Sequence, residues 1–258
     1  MDVTDLEIAR AATTAAAEAV VAALGEAVTI VTKSAPTDLV TNADRAGEDA
    51  AVAVIAGARP GDGVVGEEGH RSDGRRVWLV DPVDGTLNLV RGLTGWACVV
   101  ALVEDGETEI AFVRDVTASQ TFWGLRGEGA WRDSEPMRVR EDVGLDAALV
   151  STYLHPSKRG RPGVDEVNRA LVTGVGALRA GAGSGSLELA WIADGRLDGW
   201  LQPDLAPWDW EPGALLVREA GGRTAVVRPQ PDGPEWCVAG TPAVCDALVA
   251  LVERAARG

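Results

Sequence analysis

Apolar positions recur at helical spacing from residue 5 to residue 24, where "AATTAAAEAVVAAL" ends just before Gly25. This predicts an amphipathic helix closed near Gly25 as its C-cap. "AVTIVTK" then reads as strand, and "PTDLVTNADRAGEDAAVAVIAGA" as a turn followed by a helix from about Asn42. A loop over 59–76 leads to the apolar run 77–80, a buried strand that passes directly into "DPVDGTLN" and a loop or short helix. Residues 96–103, 108–114, 120–125 and about 137–139 alternate or run apolar between glycine and acidic turns, the pattern of an antiparallel meander. Past 140–147 the texture changes. Strands near 148–152 and 199–201 alternate with helices near 164–173, 184–194, 209–220 and 242–256. The chain therefore divides into an α+β part, residues 1–144, and an α/β part, residues 145–258.

Composition narrows the function. Among 258 residues, 46% are hydrophobic and 24% charged, which suits a folded soluble domain and not a disordered chain. The net charge of −15 repels nucleic acid phosphates, so no nucleic acid partner is expected. An anionic substrate would need local help from a metal ion or helix N-termini. Cys98, Cys237 and Cys245 form no CxxC pair and predict no disulfide framework; Cys98 reads as a core thiol. His70 and His155, the only histidines, read as solvated loop residues, which disfavours zinc and serine–histidine chemistry. The N-terminal alanine-rich stretch follows Asp2, Asp5 and Glu7 and is broken by Glu18. It is too short and too acidic for a membrane span or leader, so a cytoplasmic protein without membrane contact is expected. "HPSKRGRPG" at 155–163 is an exposed, locally basic loop.

The candidate chemistry is carried by Asp44, Glu67 with Glu68, Asp81, Asp84 and Asp209. Each has a plain alternative: Asp44 as a helix-start residue, the glutamates as loop charges, Asp81 as a turn residue, Asp209 as a helix cap. Together, carboxylates at a strand end, on a glycine-bounded loop and at helix starts are what a hard cation requires. Mg²⁺ takes oxygen ligands and commonly completes its shell from a substrate phosphate. On a turn sharpened by Pro82 and Gly85, Asp81, Asp84 and the Val83 carbonyl can converge, while Gly85 and Thr86 offer backbone N–H groups to an anion.

Five segments, "KSAPTDLVTNAD", "GEE", "WLVDPVDGTLN", "GAGSGSLELAWIADGRLDGWLQ" and "PWDWEPGALLVREAGG", resemble in order the signature motifs of the inositol monophosphatase family. The resemblance covers most of the chain. It implies a layered αβαβα sandwich of the inositol monophosphatase and fructose-1,6-bisphosphatase type, and a Mg²⁺-dependent, lithium-sensitive phosphomonoesterase that is typically a homodimer. Carried over by motif, Glu67, Asp81 and the Val83 carbonyl would hold a first metal, and Asp81, Asp84 and Asp209 a second. Asp44 would support a third through water. Glu67 with Thr86 would orient the attacking water, and Gly85 and Thr86 N–H groups would hold the phosphate of a small phosphorylated metabolite.

Two departures bear on the substrate. Seven residues before Asp209, inositol-directed members commonly carry a glutamate that accepts from ring hydroxyls; here it is Gln202. "GSGS" replaces the usual Gly-Ser/Thr-Ala-Ala, with Ser184 and Gly185 as the expected substrate-facing pair. Inositol monophosphate is the first candidate substrate. Histidinol phosphate, fructose 1,6-bisphosphate and 3′-phosphoadenosine 5′-phosphate are alternatives within the family. A haloacid-dehalogenase-type mechanism needs carboxylates two apart, whereas Asp81 and Asp84 are three apart. "GAGSGS" lacks both GxGxxG spacing and a P-loop lysine. A binding or regulatory protein on the same fold would be marked by a lost ligand, and every expected ligand position is filled. Trp208 and Trp210 are expected to fix Asp209 by packing.

Overall fold

The computed structural model describes residues 4–181 and 183–257, so Asp2 and Ala182 of the "GAGSGS" run lie outside the described residues. Helix α1 (Asp5–Leu24) starts at a capping box in which the Thr4 hydroxyl accepts from Glu7 N–H and the Glu7 carboxylate accepts from Thr4 N–H. Its ridge of Ile8, Ala12, Ala16 and Val20 is buried, and Gly25 caps it in right-handed conformation. Strands β1 (Ile30–Thr32) and β2 (Leu39–Thr41) form an antiparallel ribbon, so only part of "AVTIVTK" is strand. Helix α2 (Asn42–Ala58) begins at the expected place, capped by Thr41 and Asp44.

Strand β3 (Gly63–Gly66) lies within the segment expected to be loop and pairs in parallel with β4 (Arg76–Asp84). Four residues bounded by glycines carry no periodic signal; the neighbouring strand makes them a strand. After the short helix α3 (Thr86–Val90) come β5 (Ala97–Glu104), β6 (Glu107–Asp115), β7 (Gln120–Leu125), β8 (Gly129–Arg132) and β9 (Glu135–Pro136). They complete a seven-stranded sheet ordered β3-β4-β5-β6-β7-β8-β9, antiparallel from β4 onward. The strand expected at about 137–139 is a correction. The strand is β9, and Met137 and Val139 follow it, with Val139 N–H donating to Ala220 O and Met137 buried in the core. Met137 N–H still donates to Ala130 O of β8 at 2.8 Å, but the regular pairing ends at Pro136.

The second half contains β10 (Leu149–Thr152), α4 (Val164–Gly174), β11 (Ala177–Ala180), α5 (Gly185–Ala193), β12 (Gly199–Pro203), α6 (Pro207–Glu219), β13 (Arg223–Val227), β14 (Trp236–Gly240) and α7 (Pro242–Ala256). Its five-stranded mixed sheet runs β11-β10-β12-β14-β13. Strands β11, β13 and β14 carried no signal in the pattern of the chain.

Four apolar clusters stack the elements into five layers. α1 and α2 cover one face of the seven-stranded sheet through Ile8, Val20, Ile55, Trp78, Val80 and Phe112. α5 and α6 cover the other, through Leu79, Val99, Leu187 and Leu216. The same two helices meet the second sheet through Leu189, Trp200, Val217 and Ala239. α4 and α7 close its far side through Val167, Leu201, Val238 and Leu248. The expected αβαβα order is thereby formed, with α5 and α6 as its central layer.

Candidate active site

The expected turn at "DPVDGT" is instead a bulge inside a strand. β4 continues to Asp84, and its register against β5 shifts between Asp81, opposite Val99, and Asp84, opposite Ala97. One extra residue is therefore accommodated on β4. In a regular strand, residues three apart point to opposite faces; the extra residue returns Asp81 and Asp84 to one side. Pro82, which has no N–H to give a ladder, sits in the bulge where none is needed. Gly85 follows at φ 98°, and a Cβ there would crowd Gly95 O, Ser184 N and Trp96 Cβ.

Other elements converge on this point. Because β3 and β4 are parallel, Glu67 leaves β3 beside the end of β4, its N–H donating to Val80 O at 3.1 Å. Asp209 is in the first turn of α6; the N-cap of that helix is Ala206, so Asp209 does not cap it. One oxygen from each of Asp81, Asp84 and Asp209 lies within 4.8 Å of the others. Ser184 is buried at the N-cap of α5, and its hydroxyl donates to Asp84 Oδ2 at 2.6 Å, joined by Ser186 N–H at 2.8 Å. The Ser184 side chain thus faces Asp84, while Gly183 and Gly185 line the cavity.

Asp44 is a helix-start residue that also bonds Thr86 beside the carboxylate cluster. One carboxylate oxygen accepts from the backbone N–H and the hydroxyl of Thr41. The other accepts from Thr86 Oγ1 at 2.9 Å. Thr86 Oγ1 also lies 3.0 Å from Val83 O, so Thr86 is bonded to Asp44 and Val83, not to Glu67. Lys33 Nζ, at the end of the β1–β2 ribbon, donates to Glu67 at 3.0 Å and to Glu68 at 2.7 Å.

Glu67, Asp81, Val83, Asp84, Thr86 and Asp209 border a cavity of about 380 Å³. Gln202 on β12 is buried and points into it next to Gly185. His155 is not a freely solvated loop histidine: it is half-buried at the cavity rim, edge-on to Tyr153 with 5.8 Å between ring centroids. Its basic loop is tied back by Lys158 Nζ donating to Asp204 O at 2.9 Å and by the Arg161–Asp204 ion pair. Trp210 stacks on Trp200 at 6.0 Å, but Trp208, expected only to pack, also lines the cavity.

Two buried glutamates escaped the sequence reading. Glu48 accepts from Glu68 N–H at 2.7 Å and His70 N–H at 2.8 Å, holding the loop that presents Glu67. A Cβ on Gly66 would collide with it, which is why glycine precedes Glu67. Its signal was a carboxylate one helical turn after Asp44 on the apolar face of α2, where an unpaired charge is costly. Glu188 in α5 pairs with Arg179 and accepts from Trp200 Nε1 at 3.0 Å.

Burial drives the electrostatics. It raises Asp81 and Asp209 well above the ordinary aspartate range, and neighbouring carboxylates push both further. For Asp84 burial also raises the pKa, opposed by the bonds from Ser184 and Ser186. Glu67 is raised by burial against the pull of Lys33, and Glu68 to about 7 for the same reason. Lys33 is raised because attraction to the two glutamates outweighs its own desolvation. Such a cluster favours a divalent cation: Asp81 Oδ2 is buried with no donor against it, and the ligand set is all oxygen. The residues fit the metal.

Comparison with known proteins agrees with this geometry. The profile of the inositol monophosphatase family matches residues 2–255. The inositol-1-monophosphatase of Rhizobium meliloti is 38% identical over 195 residues, 74% of this chain and 73% of that protein. The histidinol-phosphatase of Mycobacterium tuberculosis is 38% identical over 190 residues, 71% of this chain and 72% of that protein. The crystal structure of extragenic suppressor protein suhB from Bartonella henselae superposes with a TM-score of 0.85 at 27% identity, covering 96% of this chain and 97% of that one. Among the described residues, no helix is long and apolar enough to cross a membrane.

Proposed function

The chain belongs to the inositol monophosphatase family of metal-dependent phosphatases, and from that premise we propose that it is a Mg²⁺-dependent phosphomonoesterase acting on a small phosphate ester, inositol monophosphate first. The observation that carries the reading is the convergence of Asp81, Asp84 and Asp209 within 4.8 Å, beside Glu67 and the Thr86–Asp44 bond.

Asp81, Asp84, Asp209, Glu67 and the Val83 carbonyl would hold the ions, with Asp44 supporting a further one. Mg²⁺ bound there supplies a water of lowered pKa and neutralises charge on the transferring phosphoryl group. The chain's own groups do the rest. Thr86, its hydroxyl held by Asp44 and Val83, orients the attacking water, with Glu67 as proton acceptor. Gly85 and Thr86 N–H groups, at the start of α3, bind phosphate oxygens. Ser184 and Ser186 fix the rotamer of Asp84 and spread its charge.

The leaving group lies toward Gln202, Trp208 and His155. There Asp38 is engaged by Ser34, and Asp204 by Arg161. A polyol meets the amide of Gln202, whereas a cationic leaving group, as in histidinol phosphate, meets among the described lining residues beyond the metal cluster only Asp38, bonded by Ser34, and Asp204, already paired with Arg161. The deciding experiment is phosphate release with Mg²⁺ from a panel of inositol, histidinol, sugar and nucleotide phosphates. Hydrolysis of the inositol ester above the others supports the assignment; a preference for histidinol phosphate replaces the substrate while keeping the chemistry. No release from any ester ends the reading. Lithium inhibition and a homodimer in solution belong to the same reading and are measured alongside.

A further inference from the structure

A second cavity, of about 410 Å³, shares no lining residue with the first. It lies on the α1 side of the seven-stranded sheet, where Arg10, Thr13 and Thr14 of α1 face Phe112 and Arg114 of β6 and Trp123 of β7. Its size is that of a small-molecule pocket.

Its chemistry is cationic in a chain of net charge −15. Arg10 holds its guanidinium over Phe112 and Trp123, 5.9 and 5.7 Å from the ring centroids. Those rings are themselves stacked, and Trp123 stacks further on Trp131 at 4.4 Å, so the floor is a rigid aromatic surface. Arg114 makes only a 3.4 Å bond to Thr121 Oγ1, and its Nε is buried with no acceptor. Among the described residues neither arginine has an ion-pair partner; Glu7 attracts Arg10 at longer range. A buried charged donor left unpaired is costly, and a guanidinium fork matches carboxylate or phosphate geometry. Water can satisfy Nε but cannot neutralise two guanidinium groups.

The other polar groups face a ligand as acceptors. Thr13 and Thr14, which line the cavity, already donate their hydroxyls within α1, to Ala9 O at 2.7 Å and Arg10 O at 2.8 Å, so toward a ligand they can act only as acceptors. Asp133, which accepts from Thr121 N–H at 3.0 Å, adds a carboxylate at the rim. We propose that this cavity binds a small metabolite whose phosphate or carboxylate is held between Arg10 and Arg114 and whose hydroxyl donors meet the threonines and Asp133.

The test is an NMR titration of the full chain, ¹⁵N-labelled and metal-free, with inorganic phosphate and with succinate in separate arms. The expected result is a saturable shift of the Thr13, Thr14, Thr121 and Ser134 amides, and the arm that saturates first identifies the anion. Gly85 and Thr86 amides report the first site independently. Arg10→Gln changes an exposed helix position and keeps the fold; it and Arg114→Gln should each weaken the response at least ~10-fold. The proposal is overturned if these four amides do not saturate below about 20 mM of either anion, or if Arg10→Gln leaves the titration unchanged.

Discussion

Thr86 Oγ1 lies 2.9 Å from Asp44 Oδ1 and 3.0 Å from Val83 O, so one hydroxyl joins the first turn of α2 to the bulge of β4. The same Asp44 caps its own helix through Thr41, which couples the stability of α2 to the position of Thr86. Thr86→Ser should keep most activity. Thr86→Ala should lower kcat by about 10²-fold, as expected for loss of a group that positions the nucleophile. The same change should cost only ~1 kcal/mol of stability, or about 2–4 °C in Tm. A kcat loss that merely tracks unfolding at the assay temperature would remove Thr86 from the mechanism.

Asp84→Asn and Asp209→Asn should move activity and stability in opposite directions. With Mg²⁺, each should reduce kcat by at least ~10²-fold by removing ligand charge. In EDTA at pH 8 each should raise Tm, because one of several mutually repelling buried carboxylates is gone. Paired melts and initial rates on the same preparations decide; near-normal turnover in either variant sinks its role.

The metal-free protein should lose stability as pH rises. Asp81, Asp84, Asp209, Glu67 and Glu68 all have folded-state pKa values above their unfolded ones. Their protonated forms are favoured by the fold, so their contribution is fully present below the unfolded values. It is lost as pH rises through the folded ones. For Glu68 the window runs from the ordinary glutamate value of 4.5 to about 7. Lys33, raised as well, stays charged throughout this range in both states and does not offset the loss. Thermal melts in EDTA between pH 5 and 8 should show a falling Tm, and saturating Mg²⁺ should flatten the curve. A flat metal-free profile contradicts the electrostatic account.

Glu48 predicts an effect without touching substrate. Its carboxylate holds the N–H groups of Glu68 and His70. Glu48→Ala should destabilise by ~1–3 kcal/mol, since two part-buried N–H groups lose their acceptor, and should lower activity by displacing Glu67. Glu48→Gln, which keeps one acceptor oxygen, should recover part of both. Equal behaviour of the two variants would show that the side chain only fills space.

Gln202→Glu tests the leaving-group wall. A carboxylate makes stronger, charge-assisted bonds to polyol hydroxyls than an amide does. Hydrolysis of myo-inositol 1-phosphate should improve several-fold in kcat/KM, about 1 kcal/mol, while p-nitrophenyl phosphate changes little. Parallel movement of both rates would mean that residue 202 acts on the metal cluster.

Much of this protein is legible in its residues alone. The seven longest and most periodic apolar patterns announced α1, α2, α4, α5, α6, α7 and the meander, because each buries a face that repeats along the chain. The acidic positions were legible as well, since carboxylates among apolar neighbours are rarely neutral ornaments. What tertiary structure decided is where those carboxylates point. Asp81 and Asp84 share a side only because β4 takes up an extra residue against β5, a pairing between segments that local pattern cannot encode. β3 exists only because β4 hydrogen-bonds it, and that pairing sets Glu67 beside Asp81. Glu48, Lys33 and Ser184 reach the site from positions 20 to 100 residues away from their partners, contacts that exist only once the layers have stacked. Local periodicity determines which face of an element is apolar; pairing and packing determine which charges meet.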